Sequence, residues 1–88
     1  MQKQNDTSIR KTISFDININ SIEHVKDFCE KASRTNFKVD AVSGAYVVNA
    51  KSIMGLFSLD LSKPVTCVVD ANETEAAEFI NGIKPYMV

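Results

Sequence analysis

The segment Lys51-Ser52-Ile53-Met54-Gly55-Leu56-Phe57 concentrates the residue types best placed to do chemistry. It places a hydroxyl at the start of a short helix that carries more apolar residues than one face can bury. With side chains about 100° apart around a helix, Leu56 and Leu59 fall on one side, while Ile53, Met54 and Phe57 gather on another. One set faces the core. The other is left near solvent, where an apolar cluster marks a partner surface. A phosphate on Ser52 would lie at the helix N-terminus, where free N–H groups favour negative charge. The plainer role for the same hydroxyl is that of a helix cap.

Other reactive side chains point to structure. Cys29 and Cys67 each occupy an apolar-periodic position, on a helix and a strand respectively, and read as buried free thiols. There is no Cys-x-x-Cys spacing, and a lone His24 cannot complete a zinc site, so neither a metal nor a cofactor is expected. A catalytic serine needs a base and an orienting acid. Ser21 has only His24 three residues on, which makes no triad, so no catalytic residue and no enzyme activity is expected.

The elements that must position these residues are readable from periodicity. Residues 1–9 are polar and expected to be flexible. Ile13, Phe15, Ile17 and Ile19 alternate with polar residues as a strand. Asn20 followed by Glu23 has capping-box spacing, and either Asn20 or Ser21 can serve as the plain cap of the helix that follows. The apolar stripe Ile22, Val25, Phe28, Cys29 and Ala32 predicts a helix to about Ser33. Phe37, Val39 and Ala41 alternate again, Ser43-Gly44 marks a hairpin turn, and Tyr46, Val47 and Val48 continue as a strand to about Ala50. The short helix from Ser52 ends near Leu59. After the break at Ser62-Lys63-Pro64, Val65, Cys67 and Val69 form a fourth strand. Asn72 and Glu75 repeat the cap, Ala76, Phe79, Ile80 and Ile83 form the last stripe, and Pro85 ends it. The order β-α-β-β-α-β-α predicts an α+β fold, a four-stranded, mostly antiparallel sheet covered on one face by three helices.

The chain has 88 residues, enough for one domain, placed at 10–88. Ten Lys and Arg nearly balance eleven Asp and Glu, which gives no electrostatic case for binding nucleic acid. Apolar runs are too short for membrane insertion, and Met1-Gln2-Lys3-Gln4-Asn5-Asp6 has no signal-peptide character; a cytoplasmic location is expected.

The element order and the Ser52 segment together resemble the family of the histidine-containing phosphocarrier protein, HPr, of the bacterial sugar phosphotransferase system. Lys51-Ser52-Ile53-Met54-Gly55 is similar to the regulatory-serine segment of the Gram-positive HPr group. The likeness is strongest around residues 49–61, including Asn49 and Ser58-Leu59, and extends over about residues 10–84. Phe28-Cys29-Glu30-Lys31-Ala32 is similar to the end of the family's first helix. The resemblance implies an HPr-like fold. The family carries phosphate on a histidine within Gly-Leu-His-x-Arg-Pro. Anchored on Phe28, the matching positions are Ser21 for the histidine, Glu23 for the arginine and His24 for the proline. Ile17-Asn18-Ile19-Asn20 replaces the glycine-containing lead-in.

The resemblance therefore implies a degenerate member that regulates rather than carries. Its phosphoserine would be Ser52 and its docking patch Lys51, Ile53, Met54 and Phe57, with Lys51 partly screening the phosphate. Its partners would be proteins of the phosphotransferase or catabolite-regulation system, a serine kinase among them. The competing readings are a residual phosphocarrier using His24, a phosphate-independent protein-interaction domain, and an unrelated small-ligand-binding α+β domain. On the sequence, His24 is a half-exposed residue at the border of the first helix's apolar stripe.

Overall fold

The computed structural model describes residues 9–88. Most of the expected flexible lead, residues 1–9, thus lies outside the described residues. The chain runs β1 (Lys11–Ile17), α1 (Ile22–Ser33), β2 (Lys38–Ser43), β3 (Tyr46–Asn49), α2 (Ile53–Phe57), β4 (Val65–Ala71), α3 (Glu73–Ile83) and a closing 3-10 turn, Lys84–Tyr86. The four strands form one sheet in the order β1-β4-β2-β3, and all three pairings are antiparallel.

Alternation decides which face of the sheet is covered. Along the central strand β4, Val65, Cys67, Val69 and Ala71 are buried beneath the helices, while Thr66, Val68 and Asp70 point the other way. Helix α1 contributes Val25, Phe28, Cys29 and Ala32, and α3 contributes Ala76, Phe79 and Ile83. Phe79 lies at the centre of this layer, its ring 6.2 Å from Phe28 and 6.1 Å edge-on from Phe37. Both cysteines are buried and free. Burial, with the nearby charge of Asp40 second, pushes the Cys67 thiol up to about 12, so it stays protonated and unreactive in the folded chain.

Helix α3 begins as its sequence predicts. The Asn72 side chain accepts from the Glu75 N–H at 2.8 Å, and the Glu75 carboxylate accepts from the Asn72 N–H at 3.1 Å. At α1 the expectation shifts by one residue. Ser21, not Asn20, is the cap: its backbone is extended and its Oγ accepts from the His24 N–H. Glu23 is then the second helical residue and closes no box. Ile22, expected in the buried stripe, is 65% exposed, because it opens the first turn where no element lies over it. β1 stops at Ile17 rather than Ile19, although Ile19 stays buried, and β2 starts at Lys38 with the buried Phe37 just ahead of it. α2 is also shorter than expected, ending at Phe57 with Leu59 buried beyond it.

The hairpin turn uses the one positive φ among the described residues, Gly44 at 59°. A glycine at the first of two loop positions matches the twist of the flanking strands. At the far edge, β1 gains a partner that periodicity does not reveal. Met87 bridges to Ile17, the Asn18 N–H donates to the Tyr86 carbonyl at 2.7 Å, and the Val88 N–H donates to the Asp16 carbonyl.

Candidate functional site

The Ser52 hydroxyl is presented by a tight passage from β3 into α2. Asn49 organises it: its side-chain oxygen accepts from the Lys51 N–H and its carbonyl accepts from the Ser52 N–H, both at 2.9 Å. Ser52 itself is extended, at φ −104° and ψ 113°, and its Oγ accepts from the Gly55 N–H at 3.2 Å. The serine is exposed. Its hydroxyl hydrogen-bonds to no imidazole or carboxylate among the described residues, so nothing there activates it as a nucleophile. Its chemistry is that of an accessible hydroxyl open to modification.

Gly55 lets α2 lie close to β3. A Cβ on Gly55 would stand 3.2 Å from the Val48 Cβ and 3.4 Å from the Ser52 Oγ. In this pose Leu56 is fully buried, while Met54 is 80% and Phe57 46% exposed. Ile53 is half-buried against the core, so it supports the exposed pair from beneath rather than standing beside it. Lys51 also departs from expectation. Its Nζ reaches back to donate to the Thr35 carbonyl at 3.0 Å, just past the C-terminal end of α1. The ammonium is therefore committed to helix packing and is not held over Ser52.

The second place of interest is the first turn of α1. Ser21 is engaged as a cap and Glu23 is exposed. His24 is half-buried; its Nδ1 is buried without a hydrogen-bond partner, and its ring lies 5.0 Å from that of Tyr86 at a 47° tilt. Asp27, one turn on, forms an ion pair with Lys31 at 2.8 Å and accepts the Tyr86 hydroxyl at 2.6 Å. Those bonds, Lys31 first and Tyr86 second, hold the Asp27 carboxyl below its ordinary range. The same carboxylate, reinforced by desolvation, pushes the Tyr86 phenol up to about 12. The charged side chain in the first turn of α1 is the Glu23 carboxylate, while Lys31 lies in the last turn and is paired with Asp27.

Ser52, Met54 and Phe57 thus sit together on and beside α2, and Ser21, Glu23 and His24 lie at the start of α1, the helix that α2 packs against. The sequence does not reveal the Lys51–Thr35 and Tyr86–Asp27 links, because both join residues far apart in the chain. The Asp27–Lys31 ion pair, by contrast, is signalled by its i, i+4 spacing. A surface groove of about 260 Å³ between α1 and α3, over Phe37 and Phe79, has Lys31 and Thr35 in its lining but none of Ser21, Glu23, His24, Lys51, Ser52, Ile53, Met54 and Phe57. Among the described residues no group of His, Cys, Asp and Glu could hold a metal ion, and no helix is long and apolar enough to cross a membrane.

Comparison with known proteins gives a consistent picture. The family model described as "PTS HPr component phosphorylation site" matches residues 23–87. No curated protein sequence matches the chain. Among solved structures, the chain is similar to HPr-C-His from Thermoanaerobacter tengcongensis, at 23% identity and a TM-score of 0.66, over 84% of this chain and 91% of that one. It is also similar to the histidine-containing phosphocarrier protein of a Mycoplasma, at 20% identity and a TM-score of 0.65, over 85% and 89% of the respective chains. At these identities the structural likeness speaks to the fold, which is the HPr-like α+β arrangement.

Proposed function

The chain belongs to the PTS-HPr family, and from that premise we propose that it is a regulatory, non-carrier member whose signal is phosphorylation of Ser52. The observation that carries this reading is the exposed Ser52 hydroxyl directly beside exposed Met54 and Phe57. A phosphate there adds about −1.5 to −2 charge and three strong acceptors at the margin of an apolar patch. With Lys51 turned to Thr35, that charge stays largely unscreened and changes which protein docks on α2. The position that matches the family's phosphohistidine holds Ser21, whose hydroxyl serves as a helix cap. A protein partner of the phosphotransferase system fits the family, and a serine kinase fits the site.

His24 is the remaining candidate for a carrier role. Its Nδ1 lies buried, and the charge in the first turn of its helix is the Glu23 carboxylate, which is of like sign to a phosphate. Both features favour the regulatory reading over the carrier one.

The test incubates the full chain with the system's serine kinase and ATP and, separately, with its histidine-directed kinase. Intact mass and acid lability are then read on the wild type and on Ser52→Ala. One acid-stable phosphate, absent in Ser52→Ala, is the expected result. An acid-labile phosphate on His24 would establish the carrier reading, and no transfer from either kinase would leave a phosphate-independent interaction domain.

A further inference from the structure

The groove between α1 and α3 shares no residue with the patch beside Ser52. Phe37 and Phe79, whose rings meet edge-on at 6.1 Å, lie at its base, and its walls come from the last turn of α1 and one face of α3. The stem of Lys31 is part of the apolar wall. Its Cδ and Cε stand 3.6 Å from where a Cβ on Gly82 would lie, while its ammonium is paired with Asp27. With no side chain at residue 82, the space beside that stem stays open.

Charge decides what such a groove accepts. Four ionised side chains line it, and three of them already have partners of opposite sign. Lys31 pairs with Asp27 and Arg34 with Glu30, each at 2.8 Å, and Glu75 pairs with Arg10 at 3.5 Å. Glu78 is exposed and has no ion-pair partner among the described residues. The rim therefore carries one uncompensated negative charge. The end of α1 adds to it, because the last carbonyls of this 12-residue helix form the negative pole of its dipole. An ammonium is already held at that end: Lys51 Nζ donates to the carbonyl of Thr35, a residue of the groove wall, at 3.0 Å.

We propose that this groove binds a small organic cation of the arylalkylamine class, with its ring over Phe37 and Phe79 and its ammonium at the Glu78 carboxylate. The size fits. An apolar cavity of about 150 Å³ takes up a benzene ring, and the groove, at about 260 Å³, leaves room for a short alkyl arm. A ring placed there finds aromatic partners for edge-on or offset contact. The same body bearing a carboxylate would meet Glu78 and the negative end of α1, so the charges that attract the amine reject the acid.

The isotope-labelled full chain is titrated at neutral pH and low salt with phenethylamine, up to about 20 mM, and followed by its amide chemical shifts. Saturable shifts confined to the groove, at Thr35, Phe37, Glu78, Phe79 and Gly82, are expected, with a Kd of about 1–10 mM, the weak affinity an open groove gives so small a ligand. Glu78→Gln alters only an exposed side chain and is expected to raise that Kd at least about threefold. Phenethyl alcohol, which keeps the ring and lacks the charge, is expected to bind about threefold more weakly, and hydrocinnamate, which reverses it, at least about tenfold more weakly. A wild type without saturable shifts, or with shifts centred away from the groove, overturns the proposal. An unchanged Kd in Glu78→Gln, or the alcohol or the acid bound as tightly as the amine, overturns it equally.

Discussion

The Tyr86 hydroxyl donates to the Asp27 carboxylate across 2.6 Å, joining residues 59 positions apart and tying the closing turn to the middle of α1. Asp27 also holds Lys31, so one carboxylate anchors a helix-surface ion pair and a long-range hydrogen bond. Around it the His24 ring packs on Tyr86, and the chain end lies along β1. The first turn of α1, the region where the family places its chemistry, is here secured from the C-terminal side.

Removing the donor tests that anchor. Tyr86→Phe is expected to cost about 1 kcal/mol at neutral pH, read as a lower urea midpoint at constant slope. The pH dependence has two arms. The Tyr86 phenol is raised from 10.0 to about 12, so its contribution is complete below pH 10 and fades as pH climbs toward 12. The Asp27 carboxyl is lowered from 3.8, so its contribution is present above that value and is lost as pH falls below it. In a Tyr46→Phe background a single tyrosine remains, and its absorbance titration should centre near 12. Adding Asp27→Asn should bring the midpoint back toward 10; an unmoved midpoint would show that the carboxylate is not the cause.

Two helical glycines should respond in opposite directions to alanine. At Gly82, near the end of α3, an added Cβ meets only the Lys31 Cδ and Cε, at an ordinary 3.6 Å. Gly82→Ala should therefore stabilise by about 0.5–1 kcal/mol, through helix propensity and a less disordered unfolded chain. At Gly55 the same methyl meets the Val48 Cβ at 3.2 Å, an atom fixed to the β3 backbone. Gly55→Ala should push α2 off the strand and cost about 1 kcal/mol despite the better propensity. Paired urea unfolding curves check the signs, and two shifts of the same sign would defeat the close-approach argument.

The architecture was legible in the sequence because strand and helix periods differ and each element buries one side. β4 alternates as its sequence does, and the Asn72–Glu75 spacing closes the box it predicts. At α1 two adjacent residues, Asn20 and Ser21, can both cap, and sequence alone does not say which one keeps the extended backbone. The exposure of Met54 and Phe57 was readable from the helical wheel, whereas the half-burial of Ile53 depends on how closely Gly55 lets α2 approach β3. Lys51 read as a free cation because its partner, a backbone carbonyl 16 residues away, leaves no mark on local composition.

The wheel makes one further demand, on neighbouring residues of α2. Leu56 is fully buried and Phe57 is 46% exposed, although they adjoin in sequence. Leu56→Ala should leave a cavity and cost about 2–5 kcal/mol. Phe57→Asp replaces an exposed ring, and the fold should survive with a loss of no more than about 1 kcal/mol. Docking should respond in reverse. Phe57→Asp puts a charge in the middle of the apolar surface beside Ser52 and should abolish capture of a phosphotransferase-system partner, as Met54→Asp should. Leu56→Ala, while folded, should retain it. Urea unfolding and a binding titration on the same three variants separate the effects. If Phe57→Asp unfolds the chain as Leu56→Ala is expected to weaken it, the ring belongs to the core and α2 presents no docking face.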